Sequence, residues 1–164
     1  MASQLSFYRN ASACQINVSP GETEKSKEGK TFFAKDGAIF IAMTSGEKRE
    51  YDWKKKIGFA ISMSDLPAIL AADRSISKNG WTKPKDVLFE LIHDPQAGKD
   101  EKGKVIKSLQ VVCATNQDSF FMVLNEKSNG ENKRHFVSLS MGELSLFFEV
   151  VKSSIPYLLA WNQL

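Results

Sequence analysis

The order of strand-like and helix-like segments constrains the fold of this chain more than any other feature. Each half of the sequence contains four strand candidates followed by one helix candidate, and the short connections favour antiparallel pairing. The order ββββα therefore occurs twice and predicts an α+β fold, although no residue-level repeat accompanies it. The strand candidates are residues 5–18, 31–33, 38–43 and 50–62 in the first half and 87–93, 104–114, 119–125 and 133–140 in the second.

Turn and cap signals separate these segments. Residues 19–30 are polar and charged and are interpreted as a loop, and Asn129-Gly130 marks the last hairpin. The first helix is predicted over residues 64 to about 72. The closing helix begins at Ser140, whose spacing to Glu143 is that of a capping box. Pro156 lacks the N–H that a helix interior uses, so it is expected to kink this helix or to end its first part.

The closing helix is apolar over more of its circumference than one packed face requires. A core helix buried on two sides would explain this width, and so would a helix whose surplus surface packs on another copy of the chain. Both interpretations remain open from the pattern. The residues predicted to form the core and the oligomer interface are Leu144, Phe147, Phe148, Val151, Tyr157 and Trp161.

Length and charge narrow the functional class. A chain of 164 residues has the size of one domain, predicted here over residues 1–164. It carries 22 basic and 19 acidic side chains, which excludes a histone-like polycation and a disordered acidic tail but permits a locally basic groove. Cys14 and Cys113 are expected to be reduced, packed thiols of an intracellular protein. No apolar run is long enough to span a membrane, and no presequence pattern opens the chain.

Catalytic motifs are weak in this sequence. Residues 98–104 have the G-x4-G-K spacing of a phosphate loop, but Val105 replaces the required hydroxyl and a strand follows instead of a helix. His93 and His135 have no Cys or Asp at ligand spacing and are interpreted as a strand-end residue and a surface strand residue. We therefore expect no enzyme, no metal and no cofactor.

Cationic side chains alternate with aromatic ones on several strand candidates. Lys and Arg neutralise phosphates and flat rings stack on unpaired bases, so this combination is typical of proteins that bind single-stranded nucleic acid. Rings buried in the core with ordinary solvated lysines beside them would give the same pattern. The clusters are Phe7-Tyr8-Arg9, Phe32-Phe33-Ala34-Lys35, residues 51–56 (YDWKKK) and residues 133–136 (KRHF).

Three motifs in this order resemble the Whirly family of single-stranded-DNA-binding proteins, over most of the chain from Tyr8 to Trp161. They are Y-D-W-x-[RK]-K at residues 51–56, H-D-P followed by two Gly-Lys pairs at residues 93–104, and P-Y-L-x-x-W at residues 156–161. Lys35-Asp36-Gly37 leading into the strand AIFIAM is a further matching stretch.

The resemblance implies two four-stranded antiparallel sheets packed crosswise, with C-terminal helices at the centre of a homotetramer. It implies single-stranded DNA bound along the sheet edges with little sequence preference, in the maintenance, repair or recombination of mitochondrial, plastid or nuclear DNA. Kinetoplastid guide-RNA-binding proteins share this architecture, so binding and annealing of single-stranded RNA is one alternative. A single-stranded-DNA binder that regulates transcription is another.

Roles follow for individual side chains. Stacking on bases is predicted for Tyr8, Tyr51 and Trp53. In a regular strand Lys54 and Lys56 point away from Tyr51 and Trp53, so both sets reach one ligand only at an edge or bulge. Phosphate contacts are predicted for Arg9, Lys35, Lys54, Lys56, Lys104 and Lys107.

The sequence departs from the family pattern at two places. Ala11 stands where the family signature K-G-K-A-A-L has its second lysine, which the resemblance associates with assembly beyond a tetramer. The sequence therefore leaves open whether such larger assemblies form here. Residues 74–86 form a longer connection than the family has, and they are interpreted as a variable surface loop or as an added arm that contacts the bound strand.

Overall fold

The computed structural model describes residues 4–79, 83–94, 104–115 and 118–161. Trp81 and residues 95–103, which carry most of the second matching motif and of the phosphate-loop spacing, lie outside the described residues. The strands are β1 (Gln4–Tyr8), β2 (Ser12–Ser19), β3 (Glu22–Lys25), β4 (Thr31–Lys35), β5 (Ala38–Glu47), β6 (Glu50–Tyr51), β7 (Ile57–Ile61), β8 (Val87–His93), β9 (Val105–Cys113), β10 (Ser119–Ser128) and β11 (Glu131–Ser140). The helices are α1 (Leu66–Asn79) and α2 (Met141–Leu158).

The strands form a mixed α+β fold with three antiparallel sheets. The first sheet has the order β1-β2-β5, and both β6 and β7 pair with β5. The second sheet has the order β11-β10-β9-β8, and β3 pairs with β4 in a separate hairpin. The first sheet thus differs from the expected set of four strands, because the predicted strand 31–33 (β4) lies in the separate hairpin and the predicted strands 5–18 and 50–62 are each divided in two.

Alternation of side chains builds the core of the first sheet. Ile39, Ile41 and Met43 on β5 are buried, and they lie opposite Ile61, Phe59 and Ile57 on β7. Because successive side chains point to opposite faces, the residues between them face away from the core. The same buried cluster continues into β8–β11 and the apolar side of α2.

The C-terminal helix starts where the sequence predicts. Ser140 accepts a hydrogen bond from the Glu143 N–H at 3.2 Å, and the Glu143 carboxylate accepts one from the Ser140 N–H at 2.8 Å, so the capping box is present. Pro156 lies in the last turn, and the helix ends two residues later at Leu158. Asn129 and Gly130 both have positive φ, as a tight hairpin turn requires, which confirms the predicted hairpin.

Several predicted boundaries are wrong because short polar turns interrupt the patterns. Residues 5–18 are two strands, β1 and β2, joined by a turn in which the Arg9 N–H donates to the Ser12 carbonyl at 2.8 Å. Residues 19–30 contain β3 as well as loop, because β3 pairs with β4. Helix α1 runs on to Asn79, so the first half of the 74–86 connection is helical rather than a surface loop.

The segment 50–62 is not one strand. Asp52 caps a single turn of 3-10 helix, Trp53–Lys55, by accepting a hydrogen bond from the Lys54 N–H at 3.1 Å. This turn separates the short β6 from β7. Both cysteines are buried, as expected, and burial raises the pKa of the Cys14 thiol to about 12.

A glycine anchors the β3–β4 hairpin to the end of α2. The Gly21 N–H donates to the Tyr157 carbonyl at 2.8 Å, and a Cβ at Gly21 would lie 2.5 Å from the Leu158 carbonyl oxygen. We predict that Gly21→Ala lowers the free energy of unfolding by about 1–3 kcal/mol, because the backbone there must move. Thermal unfolding measures it as a loss of several degrees in Tm.

Gly142→Ala is the matched control for this prediction. A Cβ at Gly142 meets nothing nearer than the Ser140 hydroxyl at 3.9 Å, and alanine favours a helix. Its Tm should be unchanged or higher. Equal Tm values for Gly21→Ala and the wild type would contradict the anchoring role.

Candidate nucleic-acid interface

The first sheet has one face turned away from the core, and small residues form its floor. Gln15 lies opposite Ala42, which lies opposite Gly58, and in the next row Asn17 lies opposite Phe40. We call this surface the outer face. Its central side chains are too small to fill the space above the sheet, so the outer face is concave.

A cleft of about 1060 Å³ opens on the outer face and extends to the ends of β8 and β9. Lys107 joins its two walls, because the Lys107 ammonium donates to the Gly58 carbonyl at 2.8 Å. The cleft therefore combines apolar, amide and cationic groups. Its side chains include Gln15, Asn17, Phe40, Ala42, Lys56, Ala60, Ile92, His93 and Lys107.

Three aromatic side chains adjoin this cleft in a continuous row. The ring centroids of Tyr8 and Tyr51 are 5.8 Å apart, and those of Tyr51 and Trp53 are 6.5 Å apart. Tyr8 is 44% exposed, and its hydroxyl is 3.5 Å from the amide nitrogen of Gln15, which lines the cleft. The structure thus brings together all three residues predicted to stack, and we call them the aromatic row.

The 3-10 turn explains how the aromatic row and the lysines share one surface. A continuous strand over residues 50–62 would send Lys56 to the face opposite Trp53. The turn breaks that alternation, and Lys56 lines the cleft while Tyr51 lies against Tyr8. The Thr44 hydroxyl holds the turn by donating to the Asp52 carbonyl at 2.6 Å.

His135 ties the same turn to the second sheet. Its Nε2 lies 2.9 Å from the Lys55 carbonyl oxygen, so Nε2 carries the hydrogen and donates. Its Nδ1 then accepts from the Ser45 hydroxyl at 2.7 Å. His135 therefore links β11 to β5 and to the turn through two hydrogen bonds. The sequence interpretation as a surface strand residue did not include these contacts.

Arg9, which the sequence predicts to contact phosphate, forms several contacts within its own chain. Its guanidinium donates to both carboxylate oxygens of Glu143, at 2.7 and 2.6 Å, and to the Ser138 carbonyl at 3.0 Å. Its own carbonyl accepts a short hydrogen bond from the Tyr51 hydroxyl. Arg9 therefore connects the aromatic row to the start of α2.

The remaining cations predicted to contact phosphate differ in whether they already form an ion pair and whether they line the cleft. Lys54 and Lys56 are exposed, and within the described part of the chain neither forms an ion pair. Lys104 pairs with Asp94 at 2.9 Å, and Lys107 pairs with Glu126 at 3.4 Å. Lys35 lies on the β3–β4 hairpin, 3.8 Å from Glu22, and does not line the cleft.

His93 stacks on Phe59, with ring centroids 4.2 Å apart, and contacts the Asp65 carboxylate at 3.0 Å. The contact between His93 and Asp65 was not predicted from the sequence, because the two residues are 28 positions apart. Asp65 also accepts hydrogen bonds from the backbone and hydroxyl of Ser62. The Asp65 carboxylate therefore orients the ring of His93 at the edge of the cleft.

The predicted oligomer residues separate into two groups. Leu144, Phe147, Phe148 and Val151 are buried within their own chain and belong to its core, so they are not available as surface. Tyr157 and Trp161 are exposed, at 52% and 59%. Of these six predicted residues, the two that are exposed therefore lie in the last turn of α2 and just after it.

The sequence interpretation missed Phe40, Gln15 and Asn17. Phe40 lies in the predicted strand 38–43, and it is 48% exposed because it alternates with the buried Ile39 and Ile41. The signal available in the sequence was the row of small residues on neighbouring strands, which leaves one face unfilled.

The described residues contain no group of three or more His, Cys, Asp or Glu side chains that could hold a metal ion. Neither described helix is long and apolar enough to cross a membrane.

Comparison with known proteins gives consistent matches. A family model described as "Whirly transcription factor" matches residues 7–150. The curated relatives include the single-stranded DNA-binding proteins WHY1, chloroplastic, and WHY2, mitochondrial, both from Arabidopsis thaliana. They are 24% and 22% identical over 96% and 97% of this chain. The chain spans 57% and 63% of the length of these two relatives.

Solved structures share the fold. WHY1 from Arabidopsis thaliana superimposes with a TM-score of 0.82 at 22% identity, covering 99% of this chain and 88% of that one. The plant transcriptional regulator PBF-2 superimposes with a TM-score of 0.81 at 20% identity, covering 99% and 85%.

The Arg9–Glu143 pair predicts how stability depends on pH. Burial acts to raise the pKa of Glu143, but hydrogen bonds from Ser140 and Arg9 and the charge of Arg9 outweigh it and hold the pKa below its usual range. The stability that this group contributes is therefore complete above its ordinary pKa of 4.5 and is lost as the pH falls through the lowered value. We expect Glu143→Gln to cost about 1–3 kcal/mol at pH 7 and progressively less in acid.

Urea unfolding at a series of pH values measures this difference. Glu149→Gln is the control, because Glu149 is an exposed carboxylate on the same helix and should change stability by less than about 0.5 kcal/mol. A Glu143→Gln deficit that stayed constant down to low pH would show that Glu143 does not act through its charge.

Proposed function

The chain belongs to the Whirly family, and from that premise we propose that it binds single-stranded DNA across the outer face of its first sheet. One observation carries the proposal: the aromatic row adjoins a cleft whose walls supply cations and amides. Curated relatives are named single-stranded DNA-binding proteins, which supports the same ligand.

The chemistry of this surface suits unpaired bases. Each base that stacks on an aromatic side chain gains about 1–3 kcal/mol, and a duplex offers no open base faces for such contacts. Tyr8 and Phe40 are about half exposed on the outer face, so their rings are accessible. The amides of Gln15 and Asn17 can donate to and accept from any base, which favours binding with little sequence preference.

Lys54 and Lys56 supply the phosphate contacts in this proposal, because both are exposed beside the aromatic row. Lys107 contributes its charge from within the cleft wall. Few phosphates are neutralised by such a set, so affinity should fall only moderately with salt. Stacking then provides most of the binding free energy.

The biological role that fits is non-enzymatic protection of exposed strands during DNA maintenance, repair or recombination. A plastid or mitochondrial location is proposed because curated relatives are named chloroplastic and mitochondrial. Self-association as a homotetramer is proposed through the exposed aromatic end of α2, where Tyr157 and Trp161 lack cover within the described chain.

A direct test compares single-stranded DNA, single-stranded RNA and duplex DNA of matched length in a fluorescence anisotropy titration at about 100 mM salt. Single-stranded DNA should bind best. Tighter binding of RNA would make RNA the ligand, and preference for duplex or absence of binding would contradict the proposal.

Substitutions of rings on the outer face and in the aromatic row should separate binding from folding. We expect Trp53→Ala and Phe40→Ala each to weaken binding of an oligonucleotide of about 12 nucleotides by about 5- to 150-fold, because each removes one stacking platform. Phe32→Ala is the matched control, since Phe32 is exposed to the same degree as Phe40 but lies on the β3–β4 hairpin. Similar losses in all three variants would show that the outer face is not the binding surface.

His135 should act on binding through the turn that it holds. His135→Ala removes the donor to the Lys55 carbonyl and should weaken binding about 3- to 10-fold, a cost typical of one hydrogen bond. His135→Gln retains an N–H at a similar reach and should recover part of the loss. If the alanine and glutamine variants bind equally weakly, His135 does not work through that hydrogen bond.

A further inference from the structure

The β3–β4 hairpin stands apart from the body of the protein. Its two strands pair with each other and with no other described strand, and every residue of β4 is exposed. We call residues 22–35 the arm. A two-stranded hairpin alone is only marginally stable in water, so an arm of this kind gains from being covered.

The arm carries aromatic side chains on both of its faces. Phe32 and Phe33 are neighbours on β4, so they point to opposite sides, and they are 47% and 44% exposed. Each face of this thin ribbon therefore carries one large exposed apolar side chain.

The base of the arm is fixed rather than loose. The Gly21 N–H donates to the Tyr157 carbonyl at 2.8 Å, and the Gly37 N–H donates to the Leu158 carbonyl at 3.0 Å. Both glycines lie where a Cβ would come within 2.5 Å of a backbone oxygen. The arm therefore projects from the C-terminal end of α2, beside the exposed Tyr157 and Trp161.

The charges on the arm identify the kind of partner. The arm contains four lysines and three glutamates, so its net charge is only +1, and two of its lysines already pair with its own glutamates. A ribbon with so small a net charge attracts a polyphosphate only weakly. It does complement a surface with mixed charges of both signs, and the chain itself has such a surface, with 22 basic and 19 acidic side chains.

We propose that the arm is an interface with a second copy of this chain, where Phe32 and Phe33 are covered together with Tyr157 and Trp161. This proposal rests on the proposed self-association and identifies a contact outside the helix for it. It assigns the exposed aromatic residues to two separate tasks: those of the outer face contact nucleic acid, and those of the arm contact protein. Lys35 then serves the arm rather than a phosphate.

Light scattering coupled to size exclusion tests this on the full chain. Phe32→Ser combined with Phe33→Ser should shift the mass to a smaller species, while Phe40→Ser, which removes an equally exposed ring from the outer face, should keep the wild-type mass. Affinity for a short oligonucleotide should show the opposite pattern.

The other outcomes overturn the proposal in distinguishable ways. A monomeric wild type would refute self-association itself. An oligomeric wild type whose mass survives the double substitution would refute the role of the arm alone. Loss of oligonucleotide affinity in the double variant at unchanged mass would assign the arm to nucleic acid.

Hydrogen exchange on the unaltered chain covers the case in which the double variant does not fold. Amides of residues 22–35 should gain protection as the protein concentration rises, since the strand edges become covered. Protection that does not depend on concentration would equally overturn the proposal.

Discussion

The ion pair between Arg9 and Glu143 connects the first sheet to the start of α2. Glu143 also completes the capping box of α2, so one carboxylate joins the start of the helix to the turn between the first two strands. The Arg9 carbonyl receives the Tyr51 hydroxyl, which extends the connection to the aromatic row. Because Nη2 of Arg9 contacts Glu143 while its Nε donates to the Ser138 carbonyl, two separate charge-assisted contacts orient the guanidinium. Arg9 thereby helps to position Tyr51 of the aromatic row.

The outer face is concave because the residues at its centre have small side chains. Ala42 and Gly58 leave space above the sheet, and the 3-10 turn at Trp53–Lys55 brings aromatic and cationic groups to its rim. His135 and Thr44 hold that turn from two sides. An exposed turn that carries stacking groups would lose conformational entropy on binding, and its preorganisation by these hydrogen bonds reduces that cost.

Periodic patterns in the sequence predicted the parts of this fold that depend on alternation and capping. The strands of the second sheet, the hairpin at Asn129-Gly130 and the capping box at Ser140 are examples. Interruptions shorter than one turn were missed, because the turn after Tyr8 and the turn at Asp52 leave the apolar alternation nearly intact. The partners of Arg9 and His93 were also hidden, since long-range pairs depend on tertiary packing. Tyr8, Tyr51 and Trp53, which are predicted to stack on bases, were named together because each lies in a cluster of aromatic and cationic residues in the sequence.

Photochemical crosslinking tests the central claim, that the outer face is the surface that contacts single-stranded DNA. An oligonucleotide with 5-iododeoxyuridine at successive positions forms covalent bonds to aromatic side chains that stack on it, and mass spectrometry identifies the attached peptides. We expect attachment to Tyr8, Tyr51, Trp53 and Phe40. Attachment confined to Phe121 and Phe136 on the second sheet, or to the arm, would contradict it.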